Sequence, residues 1–331
     1  MAGAGALGVI IPTFNEGPWV VRAVAALREA ASSARWPVRI VVVDDGGAPE
    51  HHEVLTKLEG PDLRVLRQRN AGRFAARLAG LRADDTEFVL LLDSRVLVGA
   101  GSLAALREDL ESGRARAWNF HVDVADEGGP WTSFWSGITK VFWRSYFARP
   151  HRVTFGTADF DRYPTGTTAF LAPRADLLAA TESFDSLYDR PDLASDDTKL
   201  LRSLAGTTPI TIDPRIACTY HGKSGLRRWA GQAYFRGTTF IDGYVPDAGR
   251  AAALLAGGVL LAAGATAGLV VRPRLTLGAG LLGWAGAGVI ARASGGTPRE
   301  VAAVVGLLPP FGVCFGAGLI RGLGLAVRGR R

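Results

Sequence analysis

Four short apolar runs in the first hundred residues each end at a polar cluster, and the stretches between them carry helical spacing. Residues 8–12, 38–43, 63–66 and 88–92 read as buried strands; residues 20–31, with Val20, Val21, Val24 and Leu27 on one face, read as a helix, as do 50–58 and 72–82. Strands that alternate with helices restrict the chain to an α/β fold, a mostly parallel sheet covered by helices on both faces. Ligands of such sheets bind beyond the carboxyl ends of the strands. The chemistry is therefore expected in Pro12-Thr13-Phe14-Asn15-Glu16, in Asp44-Asp45-Gly46-Gly47 and in Asp93-Ser94-Arg95.

The end of the chain belongs to a different solvent. The 331 residues hold 38 Lys and Arg against 31 Asp and Glu, yet residues 251–331 alone hold eight Arg and one acid, Glu300, so the whole excess of +7 sits there. A basic excess confined to an apolar tail argues against a nucleic-acid partner. Residues 251–271 and 275–291 carry no charge, and 301–320 is a third apolar stretch, interrupted by Pro309-Pro310. About 20 apolar residues cross the hydrocarbon core. The reading is a domain over 1–245 and a membrane region over 246–331, multi-pass, whose third stretch turns back at the proline pair so that the terminal arginines stay inside. Met1–Gly17 lacks the basic start and long apolar run of a signal peptide, so residues 1–245 are expected in the cytoplasm. Cys218 and Cys314 are too few for a disulfide framework or a zinc cluster. Gly3-Ala-Gly5-Ala-Leu-Gly8 matches a dinucleotide fingerprint but precedes the first strand, where that motif has no use.

Between the strand ends lies Asn70-Ala-Gly72-Arg73-x-x-Ala76-Arg77-x-x-Gly80, and further on come Phe184-Asp185-x-x-Tyr188 and Ser195-Asp196-Asp197-x-x-Leu200. With the strand-end motifs, this series resembles glycosyltransferase family 2 in order and spacing over about residues 7–205. The resemblance implies a GT-A nucleotide-sugar-binding fold, followed here by transmembrane helices, and an inverting glycosyltransferase. It assigns Pro12, Thr13, Asn15, Glu16, Asp44, Asp45, Asn70, Arg73, Arg77, Asp93, Arg95 and Gly166 to a UDP- or GDP-sugar donor, with Asp44 on the base. Strand-end carboxylates are suitable acceptors for base and ribose, and Arg73 and Arg77, one turn apart, can meet diphosphate.

The family's D-x-D holds Mg²⁺ or Mn²⁺ through carboxylates, which hard cations prefer. Here the second acid is Arg95, so either Asp93 serves with another ligand such as His221, or Arg95 itself neutralises the diphosphate. The family's base, which takes the acceptor hydroxyl's proton, falls on Asp197, with Asp196 as the alternative. Arg228-Trp229 resembles the R-W of the processive synthases' Q-x-x-R-W and is a candidate acceptor contact; the required Gln is absent, which disfavours processive synthesis. Trp131, Phe134, Trp135, Ile138, Phe142 and Tyr146 form one aromatic helix face, suited to packing on the sheet or to lying at a bilayer surface.

The expected acceptor is a lipid or lipid-linked saccharide at the membrane, and a homo-oligomer is compatible with the sequence. Two other readings compete: a membrane transport or scaffold subunit with a degenerate sugar-nucleotide domain, kept open by Arg95, and a nucleotidyltransferase, which should show a Gly-rich basic loop after the first strand.

Overall fold

The computed structural model describes residues 5–188, 196–244 and 270–328, with a few isolated positions between 257 and 268. The apolar stretch 251–271 therefore lies almost wholly outside the described residues. The chain begins β1 (Leu7–Thr13), α1 (Gly17–Ser33), β2 (Val38–Asp45), α2 (Pro49–Thr56), β3 (Leu63–Gln68), α3 (Arg73–Ala83) and β4 (Phe88–Leu92), which is the alternation expected from the hydrophobic runs. There follow β5 (Val96–Val98), α4 (Ser102–Glu111), β6 (Ala117–Asn119), β7 (His121–Val124), α5 (Pro130–Phe142), α6 (Arg144–Phe147), β8 (Val153–Phe155), β9 (Ala169–Pro173), α7 (Arg174–Glu182), α8 (Asp196–Ala205), β10 (Ile210–Ile212), β11 (Ala217–Tyr220), α9 (Leu226–Tyr244), α10 (Pro273–Ala293) and α11 (Pro298–Arg328).

Eight strands form one sheet in the order β3-β2-β1-β4-β9-β6-β10-β8, and β5, β11 and β7 form a second. The first half, β3 to β4, is parallel throughout, whereas β9 runs antiparallel to both β4 and β6 and β8 antiparallel to β10. The sheet is thus mixed beyond β4. Of the parallel strands, β1, β2 and β4 are buried on both faces, which explains their Val, Ile and Leu, whereas the edge strand β3, expected to be buried, is largely half-exposed with Arg64 and Arg67 outward. Gly80 shows why α3 lies so close to the sheet: a Cβ there would meet Ile10 Cγ2 at 2.4 Å.

Contacts divide the chain into two compact units, Met1–Glu127 with Pro150–Asp185 and Asp196–Gly222, and Gly128–Arg149 with Ser186–Ser195 and Lys223–Arg331. The sequence boundary at 245 differs from this division, because α5, α6 and α9 find their apolar partners among the C-terminal helices. Among the described residues, Trp131, Phe134 and Trp135 of the aromatic face meet rings of α9 and α11. Phe134 is fully buried with Trp229 and Phe311, at ring separations of 5.2 and 5.1 Å, while Phe142 is exposed. The helix also breaks at Trp143, so the expected continuous face becomes α5 and the single turn α6.

Two described helices, α10 and α11, are long and apolar enough to cross a membrane. The expected turn at Pro309-Pro310 is corrected: α11 passes through both prolines as one helix of 31 residues. Proline in a helix removes the hydrogen bond to the carbonyl four residues earlier. For Pro309 that carbonyl belongs to Val305, and Trp284 Nε1 of α10 donates to it at 2.6 Å. For Pro310 it belongs to Gly306.

Candidate functional site

The site is built at the carboxyl ends of β1, β2 and β4. Thr13 closes β1; its Oγ1 is buried and makes no hydrogen bond among the described residues. Pro12 before it is buried, and Asn15 after it adopts φ 56°, a left-handed conformation that Asn tolerates. Asn15 Oδ1 accepts from the Ala48 amide at 2.8 Å, which ties the β1 turn to the β2 turn.

Asp44 and Asp45 divide their work. Asp44 Oδ1 accepts from the Gly47 amide at 2.8 Å, and Oδ2 pairs with His52 Nδ1 at 2.9 Å. Asp45 accepts from Gln68 Nε2 at 2.7 Å and from the Ala71 and Gly72 amides, both at 2.9 Å. It thereby fixes the loop that carries Asn70, which is exposed, into the first turn of α3. Gly46, at φ 76°, allows this approach, since a Cβ would stand 2.7 Å from the Asn70 amide.

Arg77 organises the centre. It is buried on α3, with Nη2 donating to Asp93 Oδ1 at 2.9 Å and Nη1 to Asp197 Oδ1 at 3.0 Å. Nη2 also reaches the Thr167 carbonyl at 3.4 Å, and the Thr167 hydroxyl donates to Asp197. The Asp93 amide bonds the Thr168 carbonyl at 2.9 Å, which brings the 166–168 loop beside β4; the Gly166 amide in turn donates to Asn119 Oδ1 at 2.9 Å. Arg73, half-exposed one turn before Arg77, lies 3.5 Å from Asp197 Oδ2. Burial opposes ionisation of Asp197, but the Arg73 and Arg77 guanidiniums and the bonds from Thr167 and Arg77 hold its carboxyl well below the usual carboxylate range. The side chain of Asp196 lies outside the described residues.

Arg95 does not sit in this group. Its Nε donates to Glu16 Oε2 at 2.9 Å and its Nη1 to the His221 and Gly222 carbonyls at 3.0 and 3.3 Å. The guanidinium stacks on Trp19, 4.5 Å from the ring centroid, and His221 lies against the same ring at 4.9 Å. His221 Nδ1 pairs with Glu127 Oε2 at 3.1 Å. Arg95 thus fastens the end of β4 to the start of α1 and to the chain after β11.

These side chains do not fit a resident divalent cation. Asp93 contributes one carboxylate, with an oxygen already on Arg77, and the second D-x-D position is a guanidinium bound to Glu16. His221 lies in the neighbouring cluster with its Nδ1 on Glu127, and among the described residues no three His, Cys, Asp or Glu converge. In the other unit, Arg228 is exposed and Trp229 is buried against Trp131 and Phe134.

The structure therefore brings Arg73, Arg77, Asp93 and Asp197 together and sends Arg95 and His221 to a neighbouring cluster. His52, Gln68, Thr167, Asn119 and Trp19 are contributors that the motifs do not reveal. Thr167 alone had a local signal, its place beside Gly166.

Residues 8–163 match the family model described as Glycosyl transferase family 2. No curated protein sequence is significantly similar to the chain. Among solved structures, residues 1–349 of S. aureus TarS in complex with UDP-GlcNAc superpose with a TM-score of 0.51 at 15% identity, covering 98% of this chain and 91% of that one. The same protein without ligand and with UDP gives 0.48 and 0.49, at 16% identity and the same coverage. The parallel β3-β2-β1-β4 half-sheet, the antiparallel β9 beside it and the motifs at the strand ends are those of a GT-A fold, and residues 8–163 of this chain are similar to the family 2 glycosyltransferase domain.

Proposed function

We propose that the chain transfers a sugar, with inversion, from a UDP- or GDP-sugar to a lipid or lipid-linked saccharide at the cytoplasmic face of a membrane. The observation that carries this reading is the convergence of Asp93 and Asp197 on one buried guanidinium, that of Arg77. It joins a strand-end acid on the donor side to the acid that would meet the acceptor. The unpartnered Thr13 Oγ1 at the end of β1 supports a nucleotide there, as does the UDP-GlcNAc bound by TarS. The membrane half rests on α10, α11 and the arginines that flank them.

In the reaction, the acceptor hydroxyl oxygen attacks the anomeric carbon while Asp197 takes its proton. The bond from that carbon to the diphosphate breaks, and its electron pair leaves on the diphosphate oxygen. A positioned base of this kind contributes about 10²–10⁴-fold. Paired with two arginines, Asp197 is ionised but a weak base. Arg73, half-exposed at the rim, is placed to turn toward the incoming diphosphate, and its departure strengthens Asp197 as the acceptor binds. The donor set at Asp93 gives no reason to route a step through Mg²⁺ or Mn²⁺.

The test is a panel of UDP-, GDP- and dTDP-sugars with detergent-solubilised full-length protein and a membrane lipid extract, with EDTA or with Mg²⁺ or Mn²⁺. One nucleotide-sugar is turned over, and lipid extract raises the rate. Failure of every nucleotide-sugar to bind would refute the reading.

A further inference from the structure

α11 has one face occupied along its whole length. At its N-terminal end Glu300 accepts from Lys140 at 2.8 Å and from Ser136, and a Cβ on Gly137 of α5 would meet Val304 at 2.7 Å. Towards its C-terminal end α9 runs beside it at glycine distance. A Cβ on Gly237 would stand 2.2 Å from the Phe315 carbonyl, one on Gly318 2.1 Å from that of Tyr234, and one on Gly322 2.6 Å from that of Thr238. The opposite face holds Val313, Ile320 and Val327, which are 73%, 74% and 60% exposed.

We propose that α11 lies along one leaflet instead of crossing the bilayer, with this exposed face sunk at the boundary between headgroups and acyl chains of an anionic membrane. The proposal rests on the membrane reading above and goes beyond it by setting the direction of the helix. Three observations support it. First, 31 residues make a helix of about 46 Å, well over the ~30 Å hydrocarbon core, and it continues to Arg328 past Arg321. Second, a crossing would carry α9 into the core with Arg236 and Asp242, and Arg321 with them, whose guanidinium lies 5.5 Å from the Tyr234 ring.

The third is covalent. The turn into α11 lies against α6, where a Cβ on Gly295 would stand 2.8 Å from the Phe147 carbonyl, three positions before Pro150, and the C-terminal half of α11 packs on Tyr188, three positions after Asp185. A Cβ on Gly322 would stand 2.9 Å from the Tyr188 hydroxyl. Three extended residues span about 10 Å, too little to cross a membrane, so neither end of α11 can lie across a membrane from Pro150 or Asp185. The partner's charge follows from the tail: eight arginines against Glu300, which Lys140 already neutralises, fit anionic headgroups.

The experiment uses full-length protein with Cys218→Ala and Cys314→Ala, and single reporters at the exposed positions Ala293→Cys, Arg328→Cys and Val313→Cys. The protein is reconstituted into sealed vesicles of phosphatidylglycerol and phosphatidylcholine. A membrane-impermeant maleimide should label positions 293 and 328 from the same side, and a fluorophore at 313 should be quenched more by shallow than by deep brominated lipid. Labelling of 293 and 328 from opposite sides overturns the in-plane helix while leaving membrane association intact. Failure to float with vesicles overturns the membrane reading itself. Disulfide-linked dimers through position 313 without lipid quenching would make the face a contact between copies and also overturn the proposal.

Discussion

Replacing Arg77 with Leu should damage the protein in a way that a second substitution partly repairs. The guanidinium is 5% exposed and makes charge-assisted bonds of 2.9 and 3.0 Å to Asp93 and Asp197. Leucine leaves both carboxylates without their shared cation. Removing one partner from a buried ion pair costs about 3–5 kcal/mol, since the remaining charge stays desolvated. At about 2–4 °C per kcal/mol, the unfolding midpoint of full-length protein in detergent should fall by roughly 6–20 °C. Most of that loss is the uncompensated charge, so Arg77→Leu in an Asp197→Asn background should cost about 1–3 kcal/mol less than in the wild type. Thermal unfolding followed by tryptophan fluorescence on the four proteins measures both quantities. A midpoint for Arg77→Leu within 2 °C of wild type, or strict additivity with Asp197→Asn, would refute the shared-cation account.

Other outcomes follow from the same geometry. Because the folded pKa of Asp197 is lowered, the stability gained from its pairing is present above the ordinary value of about 3.9 and is lost as pH falls through the lower folded value. The gap between wild type and Arg77→Leu should hold steady from pH 5 to 8 and narrow below about pH 4 in denaturant titrations. Asp197→Asn should lower transfer to a hydroxyl acceptor about 10²–10⁴-fold; a loss under tenfold, measured with the lipid acceptor, would point to an acceptor that is already ionised, such as a lipid phosphate. Arg73→Ala should move the acid limb of kcat/KM to higher pH, and an unmoved limb would remove Arg73 from control of the base. Trp284→Phe leaves the Val305 carbonyl without its donor and should cost about 1–3 kcal/mol, whereas the same change with Pro309→Ala should cost less, because the helix then supplies its own amide.

What could be read without coordinates was whatever recurs over short distances. The buried runs of β1, β2 and β4 and the acids at their ends follow from period and composition, and placing Arg73 and Arg77 on one helix face needs only their spacing. The partners of those residues do not. Arg77 meets Asp93 and Asp197, 16 and 120 positions away, and Arg95 finds Glu16 at a separation of 79. Nothing local distinguishes a guanidinium facing diphosphate from one facing a carboxylate of its own chain. The proline pair misleads for the same reason: the donor that relieves Val305 comes from α10, 21 positions earlier. The aromatic face was visible in its spacing, but the helices that cover it were not.

The shared guanidinium also limits how this enzyme can change over generations. Loss of Arg77 strands two acids, while loss of either acid leaves a buried cation with half its partners. Each single step meets a less stable intermediate, although a matched pair of steps need not. Positions 77, 93 and 197 should therefore be inherited as a block, and a lineage that changes one of them should show compensation at another before it explores a new sugar or a new acceptor.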